Sequence, residues 1–194
     1  ILSVSCEILS DFITPIEAMR ILQNVSTHCY LLESAQANEA WGRYTFLGYD
    51  PKLEINCIDG HMKLGKLSVE TENPSEYIRQ ILSEYKSPKF DYLPSFTGGL
   101  VGYFSYDYLG YKEKSIRGKA RDTEDFKDVD LMLFDKVIAF DNLCQKIILI
   151  ANMSLDAPET GYNKAIVELK QLRELLRHGE KKQNMGGKLL GEVT

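Results

Sequence analysis

"LEINCIDGHMKLGKLSV", residues 53–69, decides the fold class. Apolar and polar residues alternate over Leu53–Ile58, Asp59-Gly60 supplies a two-residue turn tolerant of left-handed backbone, and alternation resumes over residues 61–69. The pattern predicts two antiparallel strands. Further strands are expected upstream at Cys29–Leu32 and Tyr44–Tyr49, and a second hairpin where residues 131–140 and 146–151 bracket Asp141-Asn142. Helices punctuate these strands. Thr14 can cap a first helix, with Pro15 in its first turn, Glu17 completing a capping box, and Ile16, Met19, Ile21 and Leu22 forming its apolar stripe. Asn73-Pro74-Ser75-Glu76 repeats that logic ahead of Tyr77, Ile78, Ile81, Leu82 and Tyr85. A long third helix follows Pro158, its apolar face being Ala165, Ile166, Leu169, Leu172, Leu175 and Leu176. Antiparallel runs with a few helices read as α+β rather than a doubly wound sheet.

The 194 residues suffice for one domain or two small ones, with a core that needs no staples. A formal charge of -5 argues against nucleic-acid binding, which needs concentrated Lys and Arg to neutralise phosphates. The short basic stretch at residues 177–182 reads as a solvated tail. The longest apolar run, residues 147–151, falls far short of the roughly 20 residues of a membrane helix. Cys6, Cys29, Cys57 and Cys144 are widely separated and form no metal-ligand pattern. Cys29, Cys57 and Cys144 are expected as small buried residues of a reducing, cytoplasmic protein. The chain lacks an initial methionine and a signal-peptide pattern, and both ends read as cut from something longer.

Residues 96–107, "FTGGLVGYFSYD", form the densest motif. They lack the Gly-Lys-Ser/Thr of a phosphate loop and the GxGxxG of a dinucleotide fingerprint. Glycines interleaved with Val101, Tyr103, Phe104 and Tyr106 instead predict a buried strand, closely approached by another backbone, or a bulge. His28, His61 and His178 have no Ser or Cys in a nucleophile context, so no catalytic residue is expected. The stretch "LLESAQANEAWGRYTFLG", residues 31–48, is more suggestive. Glu33 and Ser34 at a strand end can receive an ammonium, and Arg43 can receive a carboxylate. Leu31, Leu32, Tyr44 and Phe46 are candidates for an apolar wall. Taken alone, the same residues also read as a plain strand end with a solvated arginine.

Leu31-Leu32-Glu33-Ser34, residues 41–51 ("WGRYTFLGYDP") and residues 98–107 ("GGLVGYFSYD"), in that order and spacing, resemble the N-terminal region of anthranilate synthase component I. The resemblance also takes in the Thr14-Pro15 helix and the hairpin of residues 135–150. It implies the layered α/β/β/α fold of chorismate-utilising enzymes, of which this would be the N-terminal part: residues 1–179 as the domain, 180–194 as a tail or linker. The implied reaction is that of a lyase turning chorismate and ammonia into anthranilate and pyruvate in tryptophan biosynthesis. A glutamine amidotransferase partner supplies the ammonia, and Mg²⁺ and chorismate are held by a C-terminal domain absent here. No catalytic residue, metal ligand or cofactor is therefore expected within these residues, and the chain alone is expected to be inactive. By the same resemblance, this region carries part of the site for feedback inhibition by L-tryptophan. The family's serine transfers onto Ser34, with Leu32 and Glu33 beside it and Arg43 as a basic residue near the effector. Two other readings stay open. One is the N-terminal region of aminodeoxychorismate synthase component I, the other a non-catalytic amino-acid-sensing module.

Overall fold

The computed structural model describes residues 1–34, 42–113, 115 and 126–182. Helix α1 (Pro15–Val25) starts as its sequence dictates. The Glu17 amide donates to Thr14 Oγ1 at 3.3 Å, and Glu17 Oε2 accepts from the Thr14 amide at 3.1 Å, so two otherwise orphaned donors are satisfied reciprocally. Thr14→Ala is expected to cost about 1 kcal/mol of stability, read as a lower midpoint in urea denaturation at unchanged slope. An unaltered midpoint would show that the cap contributes nothing. Lys181 pairs with the same Glu17 and, with the Thr14 hydrogen bonds, holds its carboxyl at about 2.

Two five-stranded antiparallel sheets form the body. The first contains β1 (Leu2–Leu9), β2 (Cys29–Leu32), β3 (Tyr44–Tyr49), β9 (Lys136–Asp141) and β10 (Lys146–Met153), in the order β1-β10-β9-β3-β2. The second contains β4 (Leu53–Ile58), β5 (His61–Leu64), β6 (Leu67–Glu70), β7 (Gly99–Phe104) and β8 (Val129–Phe134), in the order β6-β5-β4-β8-β7. Because side chains alternate along a strand, each sheet presents two different faces. One face of the first sheet, with Leu47, Ile138, Phe140, Ile147 and Leu149, buries α1 and α3 (Pro158–His178) through Ile21, Leu22, Leu169, Leu172 and Leu176. Its other face, with Val137, Ala139, Ile148 and Ile150, is covered by Phe90, Leu93 and Phe96 of the segment before β7. The second sheet packs Ile55, Cys57, Val129 and Leu131 against Ile78 of α2 (Pro74–Glu84). Tyr30 of the first sheet meets Phe134 of the second edge-on, ring centroids 4.7 Å apart. The result is α+β, two antiparallel sheets with flanking helices.

Several expectations need correction. The run of residues 61–69 is two strands, β5 and β6, because Gly65 takes a φ of +59° and turns the chain. Residues 131–140 are likewise two strands, split at Asp135 and belonging to different sheets. Strand β1 had no sequence signal assigned to it, yet it pairs along its whole length with β10. Strand β7 is an edge strand, not a buried one, with Gly102, Tyr103 and Phe104 exposed. The close backbone approach does exist there: at Gly102 a Cβ would collide with the Asp130 carbonyl of β8. Of the cysteines, only Cys57 is buried; Cys29 is half-buried and Cys144 lies exposed at the β9–β10 turn. Ile16 and Leu82 point outward, so the buried helix faces are narrower than their stripes.

The Asp59-Gly60 turn is clamped from below. Tyr111 donates its hydroxyl proton to Asp128 Oδ2 at 2.6 Å, and the same oxygen accepts from the Asp59 amide at 2.8 Å. Burial pushes the Tyr111 phenol up, so it stays a donor. After α3, residues 180–182 return to α1, the Lys182 amide donating to the Arg20 carbonyl at 3.1 Å. Residues 183–194, the rest of the expected tail, lie outside the described residues, as do residues 114 and 116–125.

Candidate effector site

Strands β2 and β3 are antiparallel neighbours with Leu32 opposite Phe46. The end of β2 and the start of β3 therefore lie at the same end of the sheet. Glu33 and Ser34 follow β2 directly and are exposed, and Leu32 is 46% exposed. Arg43 immediately precedes β3. All four expected site residues are thus carried to one end of one sheet. The apolar wall is not as expected, because alternation sends Leu31 to the helix-packed face while Tyr44 and Phe46 line the opposite one. Trp41 lies outside the described residues.

Arg43 is anchored rather than merely solvated. Its Nε–H donates to Asp141 Oδ1 at 3.1 Å, and its Nη2–H to Oδ2 at 2.6 Å. The guanidinium carbon sits 4.9 Å from the Tyr44 ring centroid. Nη2 also lies 3.7 Å from Cys144 Sγ, a weak acceptor. The Arg43 side chain is about one-third exposed (36%), while the Asp141 side chain is fully shielded (0%).

Asp141 owes its position to the turn chemistry of its own residue type. An aspartate at the end of a strand can accept from the amides that follow it, and here Oδ1 accepts from Leu143 at 3.2 Å and Cys144 at 3.0 Å. Burial by itself raises the carboxyl, yet the Arg43 guanidinium and the Cys144 amide outweigh it and hold it at about 2. Reciprocally, Asp141 pushes the Arg43 guanidinium further up. The backbone reinforces the join: the Asn142 amide donates to the Arg43 carbonyl at 2.8 Å. Sequence reading placed Asp141 in a turn and missed this partnership, for which no local pattern exists.

Chemically, this sheet end offers a carboxylate and a hydroxyl that accept from an ammonium, and a guanidinium that donates to a carboxylate. These are the complements of a free amino acid. Among the described residues, no group of three or more His, Cys, Asp or Glu side chains is placed to hold a metal ion. Likewise, no described helix is long and apolar enough to cross a membrane.

No family model matches the chain. Individual relatives do. The chain is 36% identical over 182 residues to anthranilate synthase component 1 of Pseudomonas aeruginosa, covering 90% of this chain and 36% of that protein. Anthranilate synthase component 1 of Acetivibrio thermocellus is 31% identical over 182 residues, again 36% of its length. The chloroplastic anthranilate synthase alpha subunit 2 of Oryza sativa subsp. japonica is 34% identical over 171 residues. Among solved structures, anthranilate synthase component I from Streptococcus pneumoniae TIGR4 superposes with a TM-score of 0.54 at 26% identity, covering 86% of this chain and 36% of that one. In sequence and in fold, the chain is a relative of anthranilate synthase component I, and it spans about 36% of the length of the relatives it matches.

Proposed function

We propose that the chain is the N-terminal region of an anthranilate synthase component I and contributes half of an L-tryptophan feedback site. The observation that carries the first part is identity of 31 to 36% spread over about nine-tenths of the chain. In this reading the whole protein converts chorismate and ammonia to anthranilate and pyruvate. A glutamine amidotransferase subunit delivers the ammonia, and chorismate and Mg²⁺ are held by the C-terminal domain. Residues 1–179 form the regulatory and structural domain, and residues 180–194 lead towards the rest of the polypeptide. Tyr103, Phe104, Tyr106 and Leu109, all exposed on β7 and the turn after it, give that remainder an apolar edge to cover.

The second part rests on the sheet end. Glu33 and Ser34 receive the tryptophan ammonium, Arg43 its carboxylate, and Leu32 contacts its side chain. A half-site so exposed holds an amino acid weakly by itself and needs a facing surface from the remaining domain. Feedback then works as a coupling between sites: tryptophan binds better to a low-activity arrangement of the domains and shifts the population towards it. In the full-length enzyme, Ser34→Ala or Glu33→Ala is expected to raise the tryptophan concentration for half-inhibition about tenfold while chorismate turnover stays largely intact. Inhibition curves that superimpose on the wild type would remove this reading. Product analysis separates anthranilate from aminodeoxychorismate, and calorimetric titration of the chain with tryptophan tests a stand-alone sensor.

A further inference from the structure

The guanidinium of Arg43 has two edges on which paired N–H groups can grip a carboxylate: the side edge, Nε–H with Nη2–H, and the end, Nη1–H with the second Nη2–H. Asp141 occupies the side edge, through hydrogen bonds at 3.1 and 2.6 Å. None of the described residues accepts from Nη1, so they leave the end of the fork unoccupied. Asp141 is fully shielded, is held by two amides of its own turn, and sits at the end of β9, the central strand of the first sheet. It is a rigid post. The Tyr44 ring beneath the guanidinium carbon limits rotation out of the plane. Together these contacts fix which way the open end of Arg43 faces.

We propose that Asp141 is the positioning residue of the effector site: by occupying the side edge of Arg43 it presents the remaining N–H pair, already oriented, to the carboxylate of the bound amino acid. This rests on the reading of Arg43 as an effector contact. Without Asp141 the arginine keeps its charge but must be ordered at the moment of binding, and side-chain ordering weakens association. With it, the entropy is lost on folding instead. The β9–β10 turn, far from Glu33 and Ser34 in sequence, thereby becomes part of the tryptophan response.

The test is a double-mutant cycle in the full-length enzyme, with Arg43→Ala, Asp141→Asn and both together, inhibition by tryptophan being measured against each variant's own uninhibited rate. Asn keeps the side-chain shape and an oxygen for the Leu143 and Cys144 amides while removing the charge that grips Arg43. Asp141→Asn is expected to raise the half-inhibition concentration about tenfold in the wild-type background and to leave it unchanged in the Arg43→Ala background. Effects that multiply in the double variant, or an Asp141→Asn enzyme inhibited like wild type beside a desensitised Arg43→Ala, would overturn the proposal and spare the site. An Arg43→Ala enzyme inhibited like wild type would instead remove Arg43 from the site, and the proposal with it. Arg43→Lys keeps Asp141 and its turn intact: a lysine cannot bridge two carboxylates through paired N–H groups, so desensitisation close to that of Arg43→Ala is expected. Wild-type inhibition there would count against the mechanism.

Discussion

Gly102→Ala is expected to detach β7 from its sheet and to cost about 3 kcal/mol or more. Two effects combine. The backbone at Gly102 has a φ of +152°, outside what an L side chain readily adopts, and a Cβ there would run into the Asp130 carbonyl oxygen. That obstacle is main chain of the paired strand, with Gly102 opposite Leu131, so no rotamer change relieves it. Because β7 is an edge strand, the remaining four strands can stay assembled. Hydrogen exchange should therefore show protection lost first at residues 99–104 and at their β8 partners. A variant with wild-type exchange at β7 and an unshifted denaturation midpoint would refute this account.

Asp141→Ala should be nearly as damaging, at about 3 kcal/mol at neutral pH. The substitution leaves the Leu143 and Cys144 amides without their acceptor and Arg43 without its counter-charge. Partial exposure of Arg43 lets water recover some of that loss, which holds the figure below the upper range for buried pairs. The pH dependence identifies the cause. Held at about 2 in the folded protein, against an ordinary value of 3.8, the Asp141 carboxyl is depressed, so its contribution is fully present above about pH 4 and disappears as pH falls through about 2. A shift of that size corresponds to ~2 kcal/mol. Guanidinium denaturation at a series of pH values should show the wild type and Asp141→Ala converging on the acid side. A difference that stays constant down to pH 2 would assign the loss to packing.

What could be read from the sequence was what is written locally. The Thr14-to-Glu17 capping box and the Asp59-Gly60 turn each depend on residues within a few positions, and each is found where it was expected. Glu33, Ser34 and Arg43 were also legible, as polar groups where an apolar run stops and resumes. The passage of the chain between sheets at Asp135 was not, because Asp135-Lys136 interrupts the apolar residues 131–140 without the Gly, Pro or Asn of a turn, and only tertiary pairing separates β8 from β9. The role of Asp141 was hidden for a similar reason. It stands 98 positions from Arg43, and a turn aspartate looks the same whether or not an arginine reaches it. Strand β7 was misjudged as buried because its motif records a tight backbone approach, and an edge strand can have that on one side alone.

Strand β1 sets the order in which this part of the chain can be completed. Leu2 lies against Met153 and Leu9 against Lys146, so β1 leaves the ribosome before the other described strands and is among the last of them to find its partner. At about 5 to 20 residues per second, residues 2–9 wait roughly 7 to 30 seconds, unpaired, before β10 is made. Their alternating Leu2, Val4, Cys6 and Ile8 side chains belong to the core beneath α3 and are exposed in that interval. Loss of residues 1–9, by cleavage or truncation, would also leave the apolar strand β10 as a bare sheet edge. Strand β1 thus works as a seal fitted late in synthesis, and without it β10 would be open to pairing with other chains.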